Sequence, residues 1–136
     1  QAKSSIFISS LMLSEFFNAW IRLEFNILKK NQPSKYVNFK KDFRNKEVYK
    51  KSVNIAKTVV MEQIMKLAKR IDDKFEGISL DNLFEEIEVS DFNDSYYHSM
   101  AKLENFKIVT NDYDFIFLKE NSVSILTANY KMLKKS

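Results

Sequence analysis

The chain has 136 residues, 45% of them hydrophobic, with twelve Phe, six Tyr and one Trp. That is the length of one domain and the make-up of a globular chain rather than a disordered one. With no Cys, one His, one Gly and one Pro, it excludes disulfide scaffolds, thiolate zinc sites, Cys nucleophiles and Gly-rich phosphate loops.

The net charge of +4 hides a division. Arg22 to Lys57 carries eleven Lys or Arg against Glu24, Asp42 and Glu47, whereas Asp72 to Asp94 carries nine Asp or Glu against Lys74 alone. A basic arm beside an acidic segment suits a polyanionic ligand approaching a metal-binding edge. Solvated helix faces are the plainer reading of both. No apolar run approaches the roughly 20 residues of a membrane span, and Gln1-Ala2-Lys3 does not open a signal peptide. The expected setting is cytoplasmic, without membrane partners.

In chain order, Ser4 to Ser9 predicts a short strand, and Ser9 and Ser10 supply hydroxyl caps for the helix after it. Leu13, Phe16, Phe17, Trp20, Ile21 and Phe25 form that helix's apolar stripe. Glu15, Asn18 and Arg22 run along its flank at i, i+3 and i+7. Asn31-Gln32-Pro33-Ser34 is the clearest break. Tyr36, Phe39 and Phe43 then keep helical spacing among Lys35, Lys40, Lys41 and Arg44. These aromatics read either as core or as stacking platforms for unpaired bases.

From Glu47, steps of three and four through Val53, Ala56, Val60, Ile64, Leu67, Ile71 and Phe75 predict one long amphipathic helix. Gly77 stands just past it, in the place of a C′ residue. Leu80 to Glu86 reads as a short helix capped by Ser79, Ile87-Glu88-Val89 as a minimal strand, and Asp91 opens a helix running through Leu103. Phe106-Lys107-Ile108-Val109 predicts a buried strand, Ser122 to Leu126 a last strand, and Asn129 to Leu133 a terminal helical turn. The alternation predicts an α/β fold, a single domain over 1–136 with a short parallel sheet flanked by helices and a helical insert over about 35–76.

In a parallel sheet all strands point one way, so acids that follow strands gather at one edge. Glu15, Asp91 and Asp94, and Asp112 and Asp114 each follow a predicted strand within two turns. Adjacent carboxylates repel, and a divalent cation keeps them ionised. Oxygen-only ligation suits Mg²⁺ or Mn²⁺, ions that activate water for phosphodiester cleavage. Each acid also has a plain reading: Asp91 as a helix N-cap with Asp94 at N3, Glu15 as surface, Asp112 and Asp114 as turn residues. His98 reads as a partly buried helper.

Thr110-Asn111-Asp112-Tyr113-Asp114-Phe115 resembles the T-x-D-x-D-F signature of PIN domains. Asp94, sixteen residues before Thr110, is placed like their helix-opening acid. Ile6 to Glu15 is similar to their second strand and the Glu-bearing helix after it, and Ser124 to Asn129 to their last strand. The resemblance covers most of the chain and implies a three-layer PIN-like fold and a metal-dependent endoribonuclease. Many such proteins are toxins of toxin–antitoxin modules, held inactive by an inhibitor protein.

It carries Glu15, Asp94 and Asp112 over as catalytic, metal-site acids, with Asp114 as a fourth acid. Asn18, Asp91 and Thr110 take supporting places, and Arg22, Lys40, Lys41 and Arg44 are the candidates for RNA contact. A homodimer is a further expectation. The family opens with a central strand bearing an Asp, which this sequence lacks, so the expectation is that such a strand lies outside it, between the Ile6 and Ile108 strands. The second reading is a catalytically degenerate PIN-like module that binds RNA or a protein partner.

Overall fold

The computed structural model describes residues 5–118 and 123–134. The chain is mixed α/β and divides into two compact units, Gln1–Asp73 and Lys74–Ser136. Among the described residues each unit holds one pair of short parallel strands.

In the first unit, β1 (Ile6–Ile8) leads into α1 (Ser10–Asn31). The Ser9 hydroxyl accepts from the Met12 N–H and so satisfies a donor that the helix start would leave orphaned. Lys29 and Lys30 in the last turn face the negative end of the helix dipole. Pro33 pushes Gln32 out of helical geometry, and α1 ends there. A single π-helical turn follows, Phe39–Phe43, held by a reciprocal cap. Asn38 Oδ1 accepts from the amides of Lys40 and Lys41, and Asp42 Oδ2 accepts from those of Val37 and Asn38.

This turn delivers Phe43 into a core with Ile21, Phe25 and Tyr36. Phe43 is fully buried, with its ring centroid 5.5–5.6 Å from those of Phe25, Phe39 and Tyr49. The core reading is therefore the observed one for Tyr36 and Phe43, which have no face left for a base, whereas Phe39 is only half-buried and packs at the edge of that core.

The helix from Glu47 is shorter than its periodicity. It runs as α2 (Glu47–Val59), a π-helical stretch Val60–Ile64 and α3 (Met65–Leu67), and then gives way to β2 (Ala68–Arg70). Ile6, Phe7 and Ile8 pair with Ala68, Lys69 and Arg70, and the Ile71 N–H donates to the Ile8 carbonyl. The apolar spacing through Leu67, Ile71 and Phe75 is genuine, but Leu67 is 73% exposed. Pairing with β1 overrides the helical pattern. A strand thus interrupts the stretch over 35–76 that reads from sequence as helical.

In the second unit α4 (Leu80–Glu86) is capped by Ser79, and α5 (Phe92–Glu104) by Asp91. Ile87-Glu88-Val89 is not a strand. Its three amides bond back to the carbonyls of Leu83, Glu85 and Glu86, which uses the donors a ladder would need. Gly77 is not a left-handed cap either: it closes a 3-10 turn, Phe75–Gly77, without a positive φ. A Cβ there would stand 2.9 Å from Leu103 Cδ2, the far end of a side chain that is 47% exposed and free to turn aside.

β3 (Ile108–Val109) pairs with β4 (Ile125–Leu126) in register Ile108 to Ile125, and α6 (Tyr130–Leu133) follows. Val109 is 75% exposed, because a two-stranded sheet covers only one face; β3 is not the buried strand its composition predicts. The core here is Leu83, Tyr96, Tyr97, Met100, Phe115 and Leu118 with Met132. Instead of one sheet there are two strand pairs, and among the described residues no ladder joins β1 to β3. Ser4 and Ser122, the expected ends of two strands, lie outside the described residues.

Candidate functional site

The acids of the second unit follow two elements. At the carboxyl end of β3 the chain is locked into a two-step turn. The Thr110 hydroxyl accepts from the Asp112 N–H at 3.0 Å, and Asp112 Oδ1 accepts from the Asp114 N–H at 3.1 Å. The Thr110 amide donates to Leu126, and the Asn129 side-chain amide donates to the Asn111 carbonyl at 2.8 Å. Asn129 is itself set by the Thr127 hydroxyl. The T-x-D-x-D spacing is therefore a turn whose first carboxylate shapes the backbone of the second.

Both Asp112 and Asp114 are exposed, and Phe115 returns to the core at 4% exposure. The turn reading holds, and it leaves the second oxygen of Asp112 outside the turn's own hydrogen bonding. Asp91 is the N-cap of α5, its carboxylate accepting from the Asp94 N–H at 2.9 Å. It acts on Asp94 by shaping the helix start. Asp94 is half-buried in the first turn.

Glu15 lies half-buried on α1, in the first unit. Sequence reasoning passed over Asp73 in that unit, which stands just beyond the carboxyl end of β2 and accepts from the Ser10 hydroxyl. The signal that could have found it is the strand Ala68–Arg70, masked by the helical period running through it. Sequence reasoning also missed Glu86. His98 is fully buried, and its Nδ1–H donates to both Glu86 carboxylate oxygens at 2.9 Å.

The basic residues separate into two groups. Arg22 on α1 and Arg44 just after the π-helical turn line one cleft of about 340 Å³, together with Asn18. Phe17, Phe39 and Tyr49 give it aromatic walls, and Ile21 and Val53 complete it. Lys40 and Lys41 are exposed on the turn and do not line the cleft. Of the four residues expected to contact RNA, the fold thus brings two arginines into one concavity with one expected supporting residue.

Among the described residues no three or more Asp, Glu or His side chains come together in a group that could hold a metal ion. Asp94, Asp112 and Asp114 are all-oxygen donors of the kind Mg²⁺ and Mn²⁺ take. The fit to such an ion is one of donor chemistry and not of an assembled coordination shell. No described helix is long and apolar enough to cross a membrane. Comparison with known protein families, curated proteins and solved structures finds no match.

Proposed function

We propose that this chain acts as a PIN-like, divalent-metal-dependent endoribonuclease. The observation that carries the reading is the Thr110–Asp114 turn: two exposed carboxylates set by a hydroxyl and a backbone ladder at the carboxyl end of a parallel strand. Preceding it is a helix whose first turn presents Asp94. Asp94 and Asp112 would hold the ion, with Asp114 as a further acid of the same unit. When bound, such an ion lowers the pKa of a coordinated water and offsets charge on phosphate. The chain's own part is to fix the carboxylates: Asp91 sets the α5 start, and Thr110 sets the loop.

Mg²⁺ or Mn²⁺ should support cleavage of an end-labelled single-stranded RNA by the protein. Asp94→Asn and Asp112→Asn should each lower the rate by about 100-fold or more with an unchanged circular dichroism spectrum. Full activity in both variants sinks the reading. An inhibitor protein covering the acidic loop, as in a toxin–antitoxin pair, belongs to the same proposal.

A second reading, an RNA-binding module without cleavage, draws on the cleft of Arg22 and Arg44, a concavity assembled within one unit. RNA binding that survives Asp112→Asn, with no cleavage by the parent protein, would select it.

A further inference from the structure

We infer that the cleft on the first unit binds one nucleotide of single-stranded RNA, its phosphate held by Arg22 and Arg44 and its base seated against the aromatic wall. This deepens the reading of the protein as one that acts on RNA, and rests on it. Arg22 and Arg44 come from segments twenty-two residues apart in sequence and converge on a single concavity of about 340 Å³. That is the low end of the range of small-ligand clefts, roughly 300–1,000 Å³. Both arginines are exposed, as is Asn18. Guanidinium forks match phosphate oxygens two at a time, which ammonium groups do not.

The walls decide between anions. A free phosphate or an acidic side chain has no use for three aromatic residues around the arginines, whereas an unstacked base has a π-face to set on them. Phe39 is already buttressed edge-on by Phe25 at 5.3 Å, and Tyr49 by Phe43 at 5.5 Å. The wall is thereby fixed before any ligand arrives, which lowers the ordering cost of binding. Asn18 offers both donors and an acceptor to a base edge or a 2′-hydroxyl. A duplex keeps its bases stacked and cannot insert one. The cleft therefore selects single strands.

The test is fluorescence anisotropy of a labelled single-stranded oligouridine, its duplex with oligoadenosine, and a labelled poly-glutamate peptide. Binding is measured in EDTA at several salt concentrations. Arg22→Ala/Arg44→Ala should weaken single-strand binding by about tenfold or more and make the log–log salt slope shallower by about 0.7–1.4. Arg22→Lys/Arg44→Lys should restore the slope but not the affinity. Lys29→Ala/Lys30→Ala removes the same charge from the end of α1, outside the cleft, and should cost clearly less. Thermal melts establish that each variant folds; should the alanine pair fail to, Arg22→Gln/Arg44→Gln, which removes the charge and keeps most of the side-chain length, gives the same loss of affinity if the proposal holds.

Unchanged affinity and slope in a folded alanine pair, or an equal loss in the Lys29/Lys30 control, overturns the cleft. So does preferential, arginine-dependent capture of poly-glutamate, which would assign the cleft to an acidic protein partner. Metal-dependent cleavage that Asp112→Asn abolishes, with unaltered RNA affinity in the alanine pair, removes the cleft and leaves the nuclease reading standing. Arginine-dependent binding without any cleavage supports the cleft and removes the nuclease reading. No RNA binding by the parent protein removes the cleft, and no cleavage with Mg²⁺ or Mn²⁺ beside it removes the nuclease reading as well.

Discussion

Asp112 illustrates how one exposed carboxylate can shape the backbone around it. Its Oδ1 accepts from the Asp114 amide, so the side chain builds the turn in which it is displayed. An asparagine keeps that acceptor and an alanine does not. Asp112→Asn should therefore leave stability within about 0.5 kcal/mol of the parent, whereas Asp112→Ala should cost about 1 kcal/mol, the net worth of one hydrogen bond. Urea unfolding of the two variants measures this, and equal losses would mean that the turn does not depend on the carbonyl-type oxygen. At this scale much was legible. The Ser9, Ser79 and Asp91 caps and the inward Phe115 follow from residue type and spacing. The Glu86–His98 contact did not, because twelve residues and a turn separate partners that no period links.

Helices α1, α4 and α5 lie where their stripes and caps place them, since a cap and a 3.6-residue period are local and reinforce each other. The strands were harder: of two or three residues each, they are fixed by their partners rather than by their own pattern. Ala68–Arg70 is the plain case, a strand written in helical spacing and claimed by β1. Amide hydrogen exchange distinguishes the two directly. If the helix ran on to Phe75, protection would be continuous from Leu67 onward. With β2 in place, the Ile71 amide, bonded to Ile8, should exchange more slowly than that of Asp72. Ile87–Val89 shows the converse, strand-forming residues whose amides a helix end had already taken.

Across the whole molecule the charge division falls largely along the two units: the basic stretch from Arg22 to Lys57 lies in the first, while Asp94, Asp112 and Asp114 lie in the second. Each unit also carries its own natural probe, Trp20 packed against the first core and His98 buried in the second. Phe43→Ala, which empties a fully buried ring site, should cost about 3–5 kcal/mol. The loss should appear as a larger shift of the urea midpoint by Trp20 fluorescence than by the His98 proton resonances; equal shifts would mean that the two cores unfold as one. A last consequence concerns where the chain places its backbone irregularities. Asn45, Lys74 and Asn105 all take left-handed geometry, with φ of 68°, 33° and 54°, while the one glycine does not. Asparagine tolerates that region and lysine does not. Lys74→Gly should therefore raise stability, by about 0.5–1 kcal/mol after the greater freedom of glycine in the unfolded chain is offset, and a thermal melt reads the gain. The protein carries room for thermostabilisation in a turn that neither the acidic loop nor the basic cleft uses.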